Sequence, residues 1–372
     1  MPSGSATPTV SIIIPCYNYG RYLRECVASV LSQEGVRVSV LIIDDASTDD
    51  SFQVAAELAA GDRRVCVERH RTNKGHIATY NEGLARVSGR YTVLISADDL
   101  LAPGSLERAT ALMEAHPSVG FVYGGNVRFR SGEQLPGPRV FPEPPSSQVQ
   151  AGREWLTALC RAGRNIIASP EVVVRTDLQQ RLGGYREELP HSGDLEMWMR
   201  FAAHGDVGIC RNVVHAYVRD HDTNMQRTRF ASQVSRLVQR RDAFDYAFGH
   251  YREKIDPTGR LRRAADRSLR ADAMWWVLHC VYHRQLDAQL AGLLKLVLGV
   301  GGDPGGSPGK VRRGARIAVR LLEMLPLLVR GARRARQDRA EPGQPASFVS
   351  TIAVRRPILV SPGIADRAEH RA

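Results

Sequence analysis

Two pairs of adjacent aspartates, Asp44-Asp45 and Asp98-Asp99, each close a short apolar run, Val38 to Ile43 and Tyr91 to Ile95. In an open parallel sheet, ligands bind beyond the carboxyl ends of the strands. Bare carboxylates repel phosphates, so one pair would hold a divalent cation that bridges to a phosphate-rich ligand. Hard cations such as magnesium are held by one or two carboxylates together with the substrate's own phosphates. The other pair would accept hydrogen bonds from a nucleobase or ribose. The plainer alternative is that an Asp at a strand end caps a turn or the next helix. Two pairs at neighbouring strand ends weigh against that alternative. No G-x-G-x-x-G follows the first strand, and there is no G-x-x-x-x-G-K-[ST], so phosphate binding would run through a metal. No G-x-S-x-G elbow of serine hydrolases stands within residues 1–230.

Alternating strands and helices must position these acids, the pattern of a mostly parallel sheet with helices on both faces. Val10 to Ile14 reads as a buried strand ended by Pro15, and Leu23, Val27, Val30 and Leu31 then recur at helical spacing. Val38 to Ile43 is a second strand, Val65 to Val67 a weaker third, and Tyr91 to Ile95 a fourth. His76 to Val87 reads as a helix, Pro103-Gly104 opens another, and Val119 to Val127 returns to strand. Residues 131–148 are rich in Pro, Ser and Gly, a composition that suits an exposed mobile loop. Beyond it come a helix near Glu154 to Arg161, a Gly183-Gly184 turn, a helix from Asp194 to His204 and a strand near Val213 to Val218. The division expected is 1–130, 131–230, a helical Arg-rich region 231–340, and a disordered tail 341–372.

At the acidic strand ends the chain resembles glycosyltransferase family 2, whose members have the α/β fold called GT-A. Val10-Ser11-Ile12-Ile13-Ile14-Pro15-Cys16-Tyr17-Asn18 resembles the family's opening strand and loop, and Ile42 to Asp49 its second strand end. Asn73-Lys74-Gly75 with Asn81-Glu82-Gly83 is similar to the loop and helix that follow. Ser96-Ala97-Asp98-Asp99 stands where the family has its D-x-D signature. Several ordered motifs over roughly residues 9–225 are far more specific than any one of them. The resemblance implies a nucleotide-sugar site of Pro15, Tyr17, Asn18, Asp45, Lys74 and Asp98, with Tyr17 against the nucleobase and Asp45 accepting a hydrogen bond from it. It implies a metal site of Asp99, Asp98 and His221, for Mn2+ or Mg2+. Ser96 stands where many members carry an acid, so the metal leans on Asp98 and Asp99.

Inverting transfer is a single displacement at the anomeric carbon, and the acceptor hydroxyl must give up its proton as it attacks. The segment His191-Ser192-Gly193-Asp194-Leu195-Glu196-Met197-Trp198 resembles the family's E-D motif at a helix start, with Gly193 in place of the Glu. Asp194 keeps the position of the general base; the competing reading is a carboxylate that favours the helix N-terminus. Glu196 faces elsewhere on the same helix. Trp198 either floors an acceptor sugar or belongs to the core.

The composition fits an enzyme of this kind. Apolar residues make up 43% of the 372, ample for a buried core, and the charge of +12 favours anionic partners. Six cysteines without metal-finger or redox spacing read as buried thiols of a reducing compartment. No secretory leader is visible, and no run reaches roughly 18 uncharged apolar residues. The expectation is a cytoplasmic protein, peripheral on the inner membrane face where the Arg-rich stretch 310–339 forms a basic amphipathic helix. Its partners would be a nucleoside diphosphate sugar, first a UDP-sugar, and a glycan, lipid-linked or other hydroxyl acceptor in cell-surface polysaccharide or glycoconjugate synthesis. No nucleic-acid motif accompanies the charge. Two other readings stay open: a sugar-phosphate nucleotidyltransferase, and a catalytically impaired scaffold of the same fold.

Overall fold

Four parallel strands carry the acid-bearing ends: β1 (Thr9–Cys16), β2 (Arg37–Asp44), β3 (Val65–Arg69) and β4 (Tyr91–Leu94). β1 lies between β2 and β4 and has both faces covered, so Ile12, Ile13 and Ile14 are all fully buried. Burying each such side chain is worth about 1.5–3 kcal/mol. Ile12 and Ile14 enter one core with Val27 and Val30, while Ile13 faces the other with Phe121 and Trp155. A continuous apolar run is what a strand buried on both faces requires.

This computed structural model describes residues 6–137, 139–228, 232–283 and 288–298. The expected amphipathic helix at 310–339 and the tail 341–372 lie outside the described residues. The remaining strands are β5 (Leu100–Leu101), β6 (Val119–Arg130), β7 (Ser146–Gln150), β8 (Val172–Arg175) and β9 (Asp206–Asp220). The sheet runs β3-β2-β1-β4-β8-β6-β9-β5, with β7 on β9. It is parallel through β4; β8 then enters antiparallel to both β4 and β6. β6 and β9 are parallel to one another, and β5 and β7 run against β9. The mostly parallel sheet expected from the sequence is thus a parallel half joined to a mixed half.

The helices are α1 (Gly20–Leu31), α2 (Ser51–Gly61), α3 (His76–Ala85), α4 (Ser105–Ala115), α5 (Gly152–Ala162), α6 (Thr176–Leu182), α7 (Gly193–Ala202), α8 (Met225–Thr228), α9 (Gln233–His250), α10 (Arg252–Ile255), α11 (Arg260–Tyr282) and α12 (Ala288–Leu298). Phe244 and Ala247 of α9 and Ala265, Leu269 and Ala273 of α11 join the core that holds α5 and α7. The helical extension therefore shares a core with the sheet. Among the described residues no helix is long and apolar enough to cross a membrane. The described residues of the loop expected at 131–148 are mostly exposed, although its last residues, from Ser146, pair as β7 with β9. All six cysteines are free, and five are buried; Cys66 is the exposed one.

Strand β1 runs through Pro15 to Cys16, two residues past the predicted end at Ile14. Pro15 is opposite Ile43 of β2, while the ladder with β4 ends earlier, at Ile95 N–H donating to the Ile13 carbonyl at 3.0 Å. The Cys16 carbonyl accepts from Asp45 N–H at 2.8 Å, so even-numbered positions here face β2 and odd-numbered ones face β4. The next rung toward β4 would start from the N–H of residue 15, and proline has none. The strands separate at that point, where the sheet order also reverses direction.

Candidate active site

The two loops at this opening are held in unusual backbone shapes. Asn18 and Ala46 have φ of 59° and 58°, the left-handed region that costs a non-glycine residue energy. Asn18 shows what offsets the cost: its side-chain oxygen accepts from Thr48 N–H at 2.8 Å, and its own N–H donates to Ser47 Oγ at 2.9 Å. Its amide is thus engaged with the neighbouring loop. Tyr17 is 46% exposed, its ring open to solvent beside that loop.

The acids of the first pair divide their work. Asp44 is fully buried, with Oδ2 accepting from Ser47 N–H at 3.3 Å and facing Arg69 Nε at the same distance. It holds the turn. Asp45 accepts from Lys74 N–H at 2.7 Å and Gly75 N–H at 2.9 Å, and His70 bridges it to Glu82 at 2.7 and 3.1 Å. This carboxylate fixes the loop that carries Lys74, whose ammonium donates to Glu82 at 2.7 Å.

Asp98 and Asp99 are both buried at the carboxyl end of β4. Asp98 Oδ2 lies 2.9 Å from His221 Nε2 and accepts from Asn224 Nδ2 at 3.2 Å. His221 is oriented in turn by Thr223 Oγ1, 2.8 Å from Nδ1, and sits between the rings of Tyr19 and Tyr22 at 5.4 and 5.1 Å. Asp99 Oδ1 accepts from Arg219 N–H at 2.9 Å, and Arg219 Nε donates to the Asp98 carbonyl at 3.0 Å before its guanidinium pairs with Glu25. Burial pushes the Asp99 carboxyl well above the usual carboxylate range, and the neighbouring charge of Asp98 adds to the rise.

Among the described residues no group of three His, Cys, Asp or Glu side chains is arranged to hold a metal ion. His221 is hydrogen-bonded to Asp98. The two acids nevertheless fit a cation. Asp98 Oδ1 is buried with no hydrogen-bond partner, and the charge of Asp98 helps raise the Asp99 carboxyl, so a positive charge between the two would be favoured.

Asp194 lies in the first turn of α7, where Ser169 Oγ donates to its Oδ2 at 2.7 Å. Burial raises its carboxyl, against the hydrogen bonds of Ser169 and Tyr185 and the charge of His76. Gly193 has a packing reason: a Cβ there would stand 3.0 Å from the Tyr185 ring, the ring whose hydroxyl reaches Asp194. Arg200 anchors the helix from inside, paired with the fully buried Glu196 at 2.9 Å and donating to the carbonyls of Leu182, Gly183 and Gly184. Glu196 is therefore structural. Trp198 is core, stacked on Phe121 at 5.6 Å.

Tyr80 of α3 lies between the two acidic stations, edge-on to His76 and Tyr185 at 5.5 and 5.3 Å. Its phenol is raised by burial and then by the carboxylates of Asp194, Asp98 and Asp99. Tyr80, Ser169, Tyr185, Arg219 and Asn224 were not among the residues the sequence pointed to. Tyr80 adjoins Asn81 and Asn224 stands three residues after His221, so both lie beside a motif.

Residues 11–167 match the family model described as "Glycosyl transferase family 2". EpsE of Bacillus subtilis (strain 168), provisionally designated a glycosyltransferase, is 28% identical over 62% of this chain and 80% of its own length. The glycosyltransferase GlyG of Streptococcus pneumoniae serotype 4 is 34% identical over 26% of this chain and 33% of its own. Among solved structures, S. aureus TarS 1–349 in complex with UDP-GlcNAc is similar in fold, with a TM-score of 0.59 over 79% of this chain and 82% of that one, at 17% identity.

Proposed function

This chain belongs to glycosyltransferase family 2, through residues 11–167 and with the GT-A fold, and on that premise we propose that it transfers a sugar with inversion from a nucleoside diphosphate sugar to a hydroxyl acceptor. One observation supports the reading: the half-buried Tyr80 lies 5.3 Å from the ring of Tyr185, whose hydroxyl reaches Asp194, and its phenol is raised by burial and by the charges of Asp194, Asp98 and Asp99.

In this reading Tyr17 lies against the nucleobase at the β1 loop, with Pro15, Asn18, Asp45 and Lys74 shaping the wall around it. Asp98 and Asp99 would hold a divalent cation, Mn2+ or Mg2+, and His221 would orient Asp98 from behind or join the ligands. That cation would offset the charge of the departing nucleoside diphosphate. Asp194 accepts the acceptor's hydroxyl proton as the oxygen attacks the anomeric carbon. Its raised carboxyl makes it a better proton acceptor at neutral pH than an exposed Asp, while the bond from Ser169 aims Oδ2. UDP-sugars come first among the donors, because TarS, alike in fold, is described with UDP-GlcNAc. The acceptor we propose is a glycan or lipid-linked hydroxyl of a surface glycoconjugate, with the basic stretch 310–339 contacting an acidic membrane from the cytoplasmic side.

The test is a donor-panel assay in Mn2+ or Mg2+ with acceptor glycans, read by product mass and anomeric configuration. A β-linked product from an α-linked donor supports the reading. Retention, or no transfer from any donor although nucleotides bind, would sink it and favour the scaffold alternative.

A further inference from the structure

The base rests on a turn that is itself held by a second buried acid. Ser169 begins a short 3-10 turn, Ser169–Glu171, that leads into β8. Glu171 fixes this turn at both ends: Oε1 accepts from Ala168 N–H at 2.9 Å, and Oε2 accepts from Asn126 Nδ2 of β6 at 2.8 Å. Only 2% of Glu171 is exposed, and no salt bridge reaches it among the described residues. A buried carboxylate of this kind is costly, whereas a neutral side chain of the same shape would make the same two bonds without that cost but more weakly.

We propose that Glu171 is a positioning residue for the general base: by fixing Ala168 and the turn that follows, it sets where Ser169 donates and thereby the orientation and basicity of Asp194. This rests on the role proposed above for Asp194. The groups around Glu171 make its charge responsive. Burial pushes its carboxyl up to about 7, against the bonds from Ala168 and Asn126 and the charge of Arg128. Tyr123 and Arg128 approach it from β6 and His215 from β9, with His215 pushed down to about 4 by burial and by Arg108. Tyr91 of β4 is turned away to Glu114, and β5 brings only Leu100 and Leu101. Near neutral pH, then, Glu171 changes charge while its neighbours keep theirs. Ionised, it accepts both donors strongly, because hydrogen bonds to a charged acceptor are roughly twice as strong as neutral ones. Protonated, it holds the turn less firmly.

Glu171→Gln separates these states, since Gln can keep both bonds once the Asn126 amide flips. Transfer is followed from pH 5.5 to 9, with melting curves to verify folding. The wild type should show a limb in kcat near pH 7 that Glu171→Gln lacks. The variant should lose about ten- to a hundred-fold in kcat, the scale of a small misplacement of a reacting group, with donor KM unchanged. Selective 13C labelling of Asp side chains gives a readout free of turnover: the Asp194 carboxyl should titrate at higher pH in Glu171→Gln than in wild type. A folded variant with wild-type kcat, an unchanged pH profile and an unmoved Asp194 titration overturns the proposal. A wild type without transfer sinks the transferase reading instead, and the Asp194 titration still decides the link to Glu171.

Discussion

His221 and Asp98 are hydrogen-bonded at 2.9 Å, although 123 residues separate them in the chain. The bond joins the end of β4 to the segment that follows β9, so the part of the cleft that is farthest along the sequence sets the rotamer of an acid near its start. Partners of this kind, one bond behind a metal ligand, typically matter 10–100-fold in metal affinity or activity. His221→Ala should raise the Mn2+ concentration for half-maximal transfer by about that factor, while nucleotide binding without metal stays near wild type. An unchanged metal titration would remove His221 from the site.

Asp194→Asn keeps the shape and most of the hydrogen bonding of the proposed base but not its proton affinity. Transfer should fall about 10²–10⁴-fold in kcat, the usual contribution of a positioned base, with donor affinity retained. Ser169→Ala tests the same carboxylate differently. Its hydroxyl stabilises the ionised form, so its loss raises the Asp194 carboxyl further. The acidic limb of the pH–rate profile should then move to higher pH. A move to lower pH would contradict the assignment.

Asp99 gives a stability prediction with a definite sign. Its folded-state carboxyl is raised, so the protein binds a proton there that the unfolded chain has released. The stability this contributes is present below the ordinary Asp range and is lost as pH rises toward the raised value. Metal-free protein should therefore melt at lower temperature as pH climbs, and Asp99→Asn should flatten that slope. Mn2+ at a hundred times its dissociation constant should add about 2.7 kcal/mol to wild type and much less to Asp99→Asn. Equal stabilisation of both proteins by Mn2+ would place the ion elsewhere.

Arg200 and Glu196 form a buried pair on α7, and Arg200 also satisfies three carbonyls of the 182–184 turn. Arg200→Met leaves the buried Glu196 with Arg186 at 4.0 Å in place of its close partner, and breaking a buried pair costs about 3–5 kcal/mol. Denaturant unfolding should show a loss of this size, and the double variant Arg200→Met with Glu196→Leu should recover part of it. If the single variant loses less than about 1 kcal/mol, the pair is not what secures the helix.

The parallel half of the fold was legible because its strands are short apolar runs that end in acids. Val10 to Ile14 and Val38 to Ile43 give both the element and its burial, and the acid pairs mark the useful end. Helix α2 went unseen: seven of its eleven residues are apolar, but four of those are Ala and no stripe stands out, and only Ser51, Val54 and Ala55 are buried. β8 was missed for another reason. Its four residues, Val172 to Arg175, carry no sign of direction, and their antiparallel entry is set by neighbours far away in sequence. The site divides in the same way. Asp98, Asp99 and Asp194 stand in motifs, whereas Ser169, Glu171 and Arg219 act through contacts that exist only once β6, β8 and β9 are side by side. No local spacing announces them.

Pro15 also bears on how the cleft can move. Enzymes that must open and close around a substrate run the risk of sticking shut, and a crevice between two parallel strands could do so by zippering one rung further. The ring nitrogen of Pro15 denies β1 that rung toward β4. Any closure over this opening would therefore fall to side chains and loops, not to the strands themselves. The strand pair beneath them acts as a fixed jaw.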